Sequence, residues 1–220
     1  MAVGSRFVIA DDHPLFRDAL KQALRGIEPD SRILETGSFD GVKDAVLAHD
    51  DIDLVLLDLR MPGASGLSGL VALRGINPSL PVAVISAQDD YATVSRALEL
   101  GASGFISKSG SIDEIRQAIS AILAGGIWTP PGMEIGAEGD PEVSDLIRRL
   151  QTLTPQQTRV LTMLAEGLLN KQIAYELSVS EATIKAHVSA VLQKLGVDSR
   201  TQAVIKLAKI GVEPALAAGS

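Results

Sequence analysis

Short apolar runs alternate with segments of helical periodicity through the first 123 residues of the chain. Apolar runs of this length, bounded by polar turns, predict buried strands. They are 6–10 (RFVIA), 32–36 (RILET), 53–58 (DLVLLD), 81–87 (PVAVISA) and 104–107 (GFIS). The intervening spacing predicts helices near 15–24, 39–49, 67–74, 91–100 and 111–123. Strands that alternate with helices indicate an α/β doubly wound, five-stranded parallel sheet.

The pattern changes after residue 124. A stretch rich in Gly, Pro and acidic residues predicts a linker, which ends in a short helical segment, VSDLIRRL. Beyond it, apolar spacing predicts helices at 155–165, 170–177, 181–195 and 199–210, and Thr154 and Gln157 have capping-box spacing. We therefore predict three parts: 5–124, a linker over 125–150, and a small all-α domain over 151–213.

Composition narrows the protein class. Cysteine is absent, which excludes disulfides and thiolate metal sites. Arg6 interrupts the N-terminal apolar residues, so we expect no signal peptide, no membrane partner and a cytoplasmic location. Residues 1–152 carry 13 Lys+Arg and 22 Asp+Glu, whereas residues 153–220 carry 7 and 5. The second part is thus the one suited to a polyanion.

Polar residues stand at the carboxyl ends of the predicted strands, where parallel α/β sheets bind their ligands. In order they are Asp11, Asp12, Asp58, Ser86 and Lys108. Three carboxylates that repel one another favour a hard divalent cation with oxygen ligands, such as Mg²⁺. With a hydroxyl and an ammonium beside them, the set is typical of phosphoryl transfer, in which a carboxylate is the nucleophile.

Each of these residues also has an ordinary structural interpretation. Asp11 or Asp12 would serve as the cap of the helix that follows Pro14, and Lys108 would be a surface lysine. His13 is interpreted as a loop side chain. The case for a functional site depends on all five residues lying at strand ends of one sheet.

The first part resembles the receiver domain of bacterial two-component response regulators, through DDHPLFRDAL, VLLDLRMPG, ISA and GFISK. The resemblance implies a flavodoxin-like fold and phosphorylation of Asp58 by a sensor histidine kinase. It implies Mg²⁺ bound by Asp12, Asp58 and the Arg60 carbonyl, with Asp11 acting through water. It also implies that Lys108 and Ser86 hold the phosphoryl oxygens and that Phe105 is the aromatic switch. Ser109 departs from the proline common after the lysine, and Phe105 lacks a switch hydroxyl.

The segment NKQIAYELSVSEATIKAHVSAVLQKLG has helix-turn-helix form, with Ser180 as the cap of its second helix. An ordinary helical bundle without a DNA partner is the alternative. Small and polar residues on the outer face of the second helix suit the major groove of double-stranded DNA. The predicted DNA contacts are Asn170, Lys171, Ala182, Thr183, Lys185, Ala186, Ser189, Gln193 and Lys194.

Residues 152–212 resemble the LuxR-type DNA-binding domain of NarL/FixJ-like regulators, through the string that runs from LTPQQTRV to KLGVDSR. The resemblance implies that Lys185 and its neighbours contact DNA and that the last helix supports a homodimer. Gln157 and Arg159 replace residues that are usually acidic in this family. Ser178 stands where Gly is common, so a turn with positive φ would be strained there.

Together these features predict a phosphorylation-controlled transcription regulator, not an enzyme acting on external substrates. A regulator of the same architecture that works without phosphorylation, through a protein or small-molecule partner, is the alternative. A metal-dependent phosphatase of the haloacid-dehalogenase type is disfavoured, because such an enzyme needs a carboxylate two residues after the nucleophile. That position is Arg60.

Overall fold

The structure, a computed structural model, describes residues 4–133 and 140–213. Part of the predicted linker, 134–139, lies outside the described residues. Five parallel strands form the main sheet, in the spatial order second, first, third, fourth and fifth along the chain. A two-strand hairpin between the third and fourth of them contributes β4 (Arg60–Met61) and β5 (Ala64–Gly66). The strands of the main sheet are β1 (Arg6–Ala10), β2 (Arg32–Thr36), β3 (Leu54–Asp58), β6 (Val82–Ser86) and β7 (Gly104–Ser107).

Helices cover both faces of this sheet, which confirms the predicted doubly wound α/β class. Successive residues of a strand point to opposite faces, so Ile9 packs with one helical layer and Val8 with the other. The first layer holds α1 (Pro14–Ile27) and α5 (Ile112–Leu123). The second holds α2 (Phe39–Ala48), α3 (Ser68–Ile76) and α4 (Tyr91–Glu99). Strands β3 and β6 are buried along their whole length. Their sequences are therefore nearly continuous apolar runs and do not alternate between apolar and polar residues.

The second half of the chain is helical, as predicted. Its helices are α6 (Pro141–Gln151), α7 (Pro155–Ala165), α8 (Asn170–Glu176), α9 (Glu181–Leu195) and α10 (Arg200–Lys209). Thr154 and Gln157 form the predicted capping box at the start of α7. Val160, Leu164, Ile173 and Ile184 form the small core that holds α7, α8 and α9 together.

The predicted linker is only partly a connection. Trp128 lies beside the edge strand β7, where its carbonyl accepts a hydrogen bond from Phe105 N at 2.9 Å. Helix α6 is longer than the predicted VSDLIRRL segment and buries Leu146, Ile147 and Leu150. The apolar face of α6 is therefore packed into the core and is not exposed to solvent.

The two halves share one apolar core. Helix α3 of the first half packs against α7 of the second, and Leu70 and Leu161 belong to the same buried cluster. Gly75 allows the close approach, because a Cβ there would lie 3.0 Å from Thr158 Cγ2. The contact between α3 and α7 is therefore packed like the interior of a single domain, and not like two domains that are joined only by a linker.

A three-stranded mini-sheet completes the fold. Strands β4 (Arg60–Met61) and β5 (Ala64–Gly66) form a hairpin around Pro62 and Gly63, directly after Asp58. Strand β8 (Val212–Glu213), which follows α10, pairs antiparallel with β5. Over residues 4–133 and 140–213, no helix has both the length and the apolar character to cross a bilayer.

Candidate functional site

An acidic cluster stands at the carboxyl edge of the main sheet. Asp58 ends β3 and Asp11 follows β1, and both side chains are nearly inaccessible to solvent, at 3% and 1% exposure. Ligand atoms of Asp11, Asp12, His13 and Asp58 all lie within 4.8 Å of one another. Because β1 and β3 are neighbouring parallel strands, the fold brings together carboxylates that are almost fifty residues apart in sequence.

Lys108 enters the cluster from the end of β7. Its Nζ lies 2.7 Å from Asp11 Oδ2 and 2.8 Å from Asp58 Oδ2. The same ammonium is 5.0 Å from the centroid of the Phe16 ring, a favourable cation–π distance. Its backbone is fixed as well, since Lys108 N donates to Ser86 O at 2.8 Å. Lys108 therefore has a defined position between the two buried carboxylates.

Burial and charge act in opposite directions on these groups. Burial raises the pKa of Asp58, an effect that the Lys108 hydrogen bond and charge reduce and the Asp11 charge reinforces. Burial acts to lower the pKa of Lys108, but its bonds to Asp11 and Asp58 outweigh that effect, so the pKa of Lys108 is raised. The two carboxylates lie so close together that their ionised forms are unfavourable without a further cation. The same arrangement favours the binding of a cation.

The remaining predicted residues surround Asp58. Ser86 is buried at the end of β6, and its Oγ accepts a hydrogen bond from Gln88 N at 3.0 Å. Arg60 N donates to Asp58 Oδ1 at 3.3 Å, while the Arg60 guanidinium donates to Gln88 Oε1 at 3.1 Å. Phe105 is fully buried in the second layer of the core, on the strand next to the one that carries Ser86.

An open cavity of about 770 Å³ leads to Asp58. It is lined by His13, Leu15, Phe16, Asp58, Arg60, Ser86, Ala87, Gln88 and Lys108. A small phosphorylated donor therefore has room to approach the carboxylate, and the Ser86 hydroxyl and the Lys108 ammonium face the same space.

Two neighbours of the site were not singled out as functional from the sequence. His13 was interpreted as a loop side chain, but its Nδ1 lies 2.7 Å from Asp12 Oδ1 and 3.1 Å from Asp11 Oδ1. Phe16 was given no role of its own, yet its ring lies under the Lys108 ammonium. Both follow Asp11 closely along the start of α1, and that adjacency was the available signal.

The donor set fits a magnesium ion. Three carboxylates face one ammonium, which leaves an excess of negative charge equal to one divalent cation. Asp11 Oδ2 is buried, and its contact with Lys108 Nζ at 2.7 Å leaves it the capacity to bind a further cation. Buried carboxylate oxygens in this state are suitable ligands for a hard cation that takes oxygen donors.

The helix-turn-helix is formed by α8, a short turn and α9. Ser178 has φ +52°, the strained conformation that the sequence pattern implied for this turn. Ser180 caps α9 by accepting a hydrogen bond from Thr183 N at 3.1 Å. Ile184, Val191 and Leu195 are buried, so the apolar face of α9 holds the helix against its neighbours.

The opposite face of α9 is open to solvent. Its exposed residues are Ala182, Thr183, Lys185, Ala186, Ser189 and Gln193. Lys185 forms an ion pair with Glu181 at 3.1 Å, on the surface of the helix. The first half of the chain therefore does not cover the outer face of α9 in this arrangement.

The three flanking residues predicted to contact DNA lie in different settings. Asn170 and Lys171 form the first turn of α8, and Lys171 is exposed. Lys194 Nζ instead donates to Thr152 O at 2.7 Å and to Gln157 Oε1 at 2.8 Å. Its ammonium thereby joins α9 to the start of α7, a structural role that the sequence pattern did not reveal.

Comparison with known families matches both halves of the chain. Residues 7–120 match the family described as response regulator receiver domain. Residues 151–207 match the family described as bacterial regulatory proteins, luxR family.

Whole-length relatives share this architecture. The chain is 42% identical to the glycerol metabolism activator of Pseudomonas putida, over 93% of this chain and 96% of that protein. It is 35% identical to the nitrate/nitrite response regulator protein NarP of Escherichia coli, over 90% and 92%. Among solved structures, RcsB from Salmonella enterica serovar Typhimurium, bound to promoter rprA with phosphomimetic BeF3−, has a TM-score of 0.54 and 25% identity. That match covers 94% of this chain and 99% of RcsB.

Proposed function

Because this chain belongs to the two-component response regulators that join a receiver domain to a LuxR-type DNA-binding domain, we propose that phosphorylation of Asp58 controls its binding to DNA. A sensor histidine kinase is the proposed donor. The observation that carries the proposal is the buried Asp58 with Lys108 Nζ 2.8 Å away and Asp11 beside it. We assign 5–124 to the receiver, 125–150 to the connection and 151–213 to the DNA-binding domain.

In the proposed reaction, a carboxylate oxygen of Asp58 attacks phosphorus, and the bond between phosphorus and the donor's leaving group breaks. Lys108 and Ser86 bind phosphoryl oxygens, which places positive charge and a hydrogen-bond donor where negative charge collects. Mg²⁺, when bound by Asp11, Asp12, Asp58 and the Arg60 carbonyl, supplies the remaining charge neutralisation. Hydrolysis of the aspartyl phosphate returns the carboxylate, so the chemistry acts on the protein itself.

The proposed switch starts at the Ser86 hydroxyl. When Ser86 turns toward a phosphoryl oxygen, it gives up the hydrogen bond that its Oγ accepts from Gln88 N. The proposed second residue of the switch is Phe105, which is fully buried on the adjacent strand. Phosphorylation thereby shifts the balance between two receiver states, the general logic of such local charge switches.

Intact-mass spectrometry tests the phosphorylation step. Wild-type protein incubated with Mg²⁺ and acetyl phosphate is expected to gain one labile phosphoryl group, whereas Asp58→Ala is expected to gain none. Asp113→Ala is the matched control, because that carboxylate is exposed and pairs with Arg116 on the surface of α5. Modification of Asp58→Ala to the wild-type level would assign the acceptor elsewhere. If wild type gains nothing, even from a kinase, the phosphorylation-independent regulator becomes the better reading.

DNA binding is proposed to occur through the exposed face of α9, with α8 near the phosphate backbone. The open face carries small residues that permit close approach and polar ones that can bond base edges. Two such helices, one from each protomer of a dimer, would read half-sites about one helical turn apart.

The dimer is proposed to form through α10. Thr201, Ile205 and Ala208 lie on one outward face of that helix, and Ile205 is 57% exposed. A large apolar side chain exposed on a helix that is otherwise packed into the core is suited to an interface.

Ile205→Asp is expected to prevent dimerisation of the DNA-binding domains and to lower affinity for paired half-sites at least about tenfold. The reason is that linking two weak binding events raises the apparent affinity by more than that. Leu47→Asp is the matched control, since Leu47 is a similarly exposed apolar residue, at 67%, on α2. Light scattering and gel-shift titration measure the effect; equal DNA binding by the two variants would exclude this face of α10.

A further inference from the structure

Arg17 connects helix α1 to the peptide that joins the two acidic residues after β1. Its Nη1 donates a hydrogen bond to the main-chain oxygen of Asp11 at 2.7 Å. The Arg17 side chain is only 21% exposed, so its guanidinium is largely removed from water. A charged group in that position needs polar partners, and the Asp11 carbonyl is one of them.

Glu35 on β2 is the second partner of this guanidinium. Its Oε2 lies 3.5 Å from Arg17 Nε, within ion-pair distance. Gly37 lies beside the same group, because a Cβ built there would be 3.7 Å from Arg17 Nη1 and 3.9 Å from Asp11 O. At the base of the side chain, Arg17 N donates to His13 O at 3.1 Å. Arg17 therefore connects α1, β2 and the segment that follows β1.

The carbonyl that Arg17 binds determines how the acidic pair is oriented. The peptide between Asp11 and Asp12 is planar, so the direction of this carbonyl sets ψ of Asp11 and φ of Asp12 together. On the other side of the residue, Asp11 N donates to Thr36 O at 3.1 Å. With both main-chain polar groups of Asp11 bonded, the direction of each carboxylate toward Asp58 is fixed, and ligand atoms of all three lie within 4.8 Å.

We propose that Arg17 is a positioning residue for the cation site, and that its hydrogen bond to Asp11 O holds the carboxylates of Asp11 and Asp12 in the orientation that binds Mg²⁺. The inference rests on the proposed function, in which these carboxylates bind the metal. Groups that hold metal ligands in place typically change metal affinity by about 10- to 100-fold when they are removed. Arg17 acts through Asp11 and takes no part in the phosphoryl transfer itself.

The charge of Arg17 and its hydrogen bond have opposite effects on cation binding. A positive charge near three carboxylates repels a divalent cation, so removal of the charge alone would strengthen Mg²⁺ binding. Loss of the orientation that the hydrogen bond provides would weaken Mg²⁺ binding. The sign of the change in the dissociation constant therefore separates the two roles.

Titration calorimetry with Mg²⁺ alone measures this sign. Arg17→Met is expected to raise the dissociation constant for Mg²⁺ at least about tenfold. Lys21→Met is the matched control, because Lys21 Nζ pairs with the same Glu35 at 2.9 Å, one helical turn farther from Asp11. The control removes the same charge, so its Mg²⁺ binding is expected to be unchanged or slightly tighter. Equal dissociation constants in the two variants, or tighter binding in Arg17→Met, would overturn the positioning role.

Arg17→Lys keeps the charge and tests the geometry alone. A lysine ammonium lacks the planar fork that lets Arg17 donate to Asp11 O and pair with Glu35 in fixed directions. We therefore expect Arg17→Lys to bind Mg²⁺ more weakly than wild type does. If Arg17→Met does not fold, this comparison decides the matter, and wild-type affinity in Arg17→Lys would exclude a positioning role.

Phosphorylation provides a second readout, which a purely structural role would not change in the same way. In acetyl phosphate, Arg17→Met is expected to need at least about tenfold more Mg²⁺ for its half-maximal rate, but to reach the wild-type rate at saturating Mg²⁺. If wild type is phosphorylated and Arg17→Met shows the same Mg²⁺ dependence, the positioning role is wrong and the proposed function stands. If wild type binds Mg²⁺ but gains no phosphoryl group, the proposed function is contradicted, and calorimetry still decides the role of Arg17.

Discussion

Lys108→Met is expected to lower the free energy of unfolding by about 3 kcal/mol at neutral pH without divalent cations, the cost typical of removing one partner of a buried ion pair. The Lys108 side chain is only 14% exposed and lies between the carboxylates of Asp11 and Asp58. Without its ammonium, both buried carboxylates lose their main compensating charge. Methionine has a similar length and no charge, so the change removes the ammonium together with its cation–π contact to Phe16.

The pH dependence of this loss has a definite sign. Because the folded pKa of Asp58 lies above its ordinary value, protonation of Asp58 favours the folded chain. The stability that this provides is present at acidic pH and is lost as the pH rises through the folded pKa. The difference between wild type and Lys108→Met is therefore expected to be largest at neutral pH and to shrink as the pH falls and Asp58 becomes protonated in both proteins.

Urea unfolding at several pH values, with and without Mg²⁺, measures both effects. Mg²⁺ is expected to stabilise Lys108→Met more than wild type, because the ammonium no longer competes for the carboxylates. Lys43→Met is the control, since Lys43 pairs with exposed Asp40 on the surface of α2, where ion pairs contribute little. If Lys108→Met were as stable as wild type at pH 7, the Lys108 ammonium would not be the charge that stabilises the buried carboxylates of Asp11 and Asp58.

The layout of the main sheet and its acidic edge was accessible from the sequence because both depend on local signals. Strands β1, β3, β6 and β7 are short apolar runs, and several helices show both apolar periodicity and a capping residue, as α5 does with Ser111. Asp58 is the last residue of its strand, and Asp11 and Lys108 directly follow theirs, so parallel topology brings the three together. The fold that the family resemblance implies is therefore the fold that is observed.

The features that could not be predicted from the sequence depend on contacts between segments that are distant along the chain. Strands β4, β5 and β8 have two or three residues each, too few to show any periodicity, and β8 pairs with a strand about 150 residues earlier. Lys194 carried a charge on the expected helix, but the carbonyl of Thr152 that binds it could not be identified from spacing. Helix α6 looked like the end of a linker because its apolar partners lie on α4 and α9.

These contacts also change how the two domains are pictured. A linker of Gly, Pro and acidic residues predicts two independent bodies joined by a tether. The shared core between α3 and α7, together with the β5–β8 pairing, instead makes the DNA-binding domain an extension of the receiver. The phosphorylation that we propose at Asp58 would therefore act on a packed interface, and coupling between distant sites requires that such an interface have two arrangements.

Ala186→Glu is expected to lower DNA affinity about 100-fold, because several kcal/mol are lost when a like charge is placed against a polyanion. Ala186 is exposed near the middle of α9, on the face opposite the buried Ile184 and Val191. The added carboxylate would face base edges and phosphates at a position where a small side chain permits close approach. The folded state should tolerate it, since exposed helix positions seldom change stability by more than about 0.5 kcal/mol.

Fluorescence anisotropy with duplexes selected from a random library by the wild-type protein measures the loss. Ala48→Glu is the control, because it makes the same substitution at an exposed position of α2, far from α9. Phosphoryl uptake should be unchanged in Ala186→Glu, which separates DNA contact from the receiver chemistry. If Ala186→Glu binds the selected duplexes as wild type does, the exposed face of α9 does not enter the groove, and DNA recognition must be sought on another surface of the helical domain.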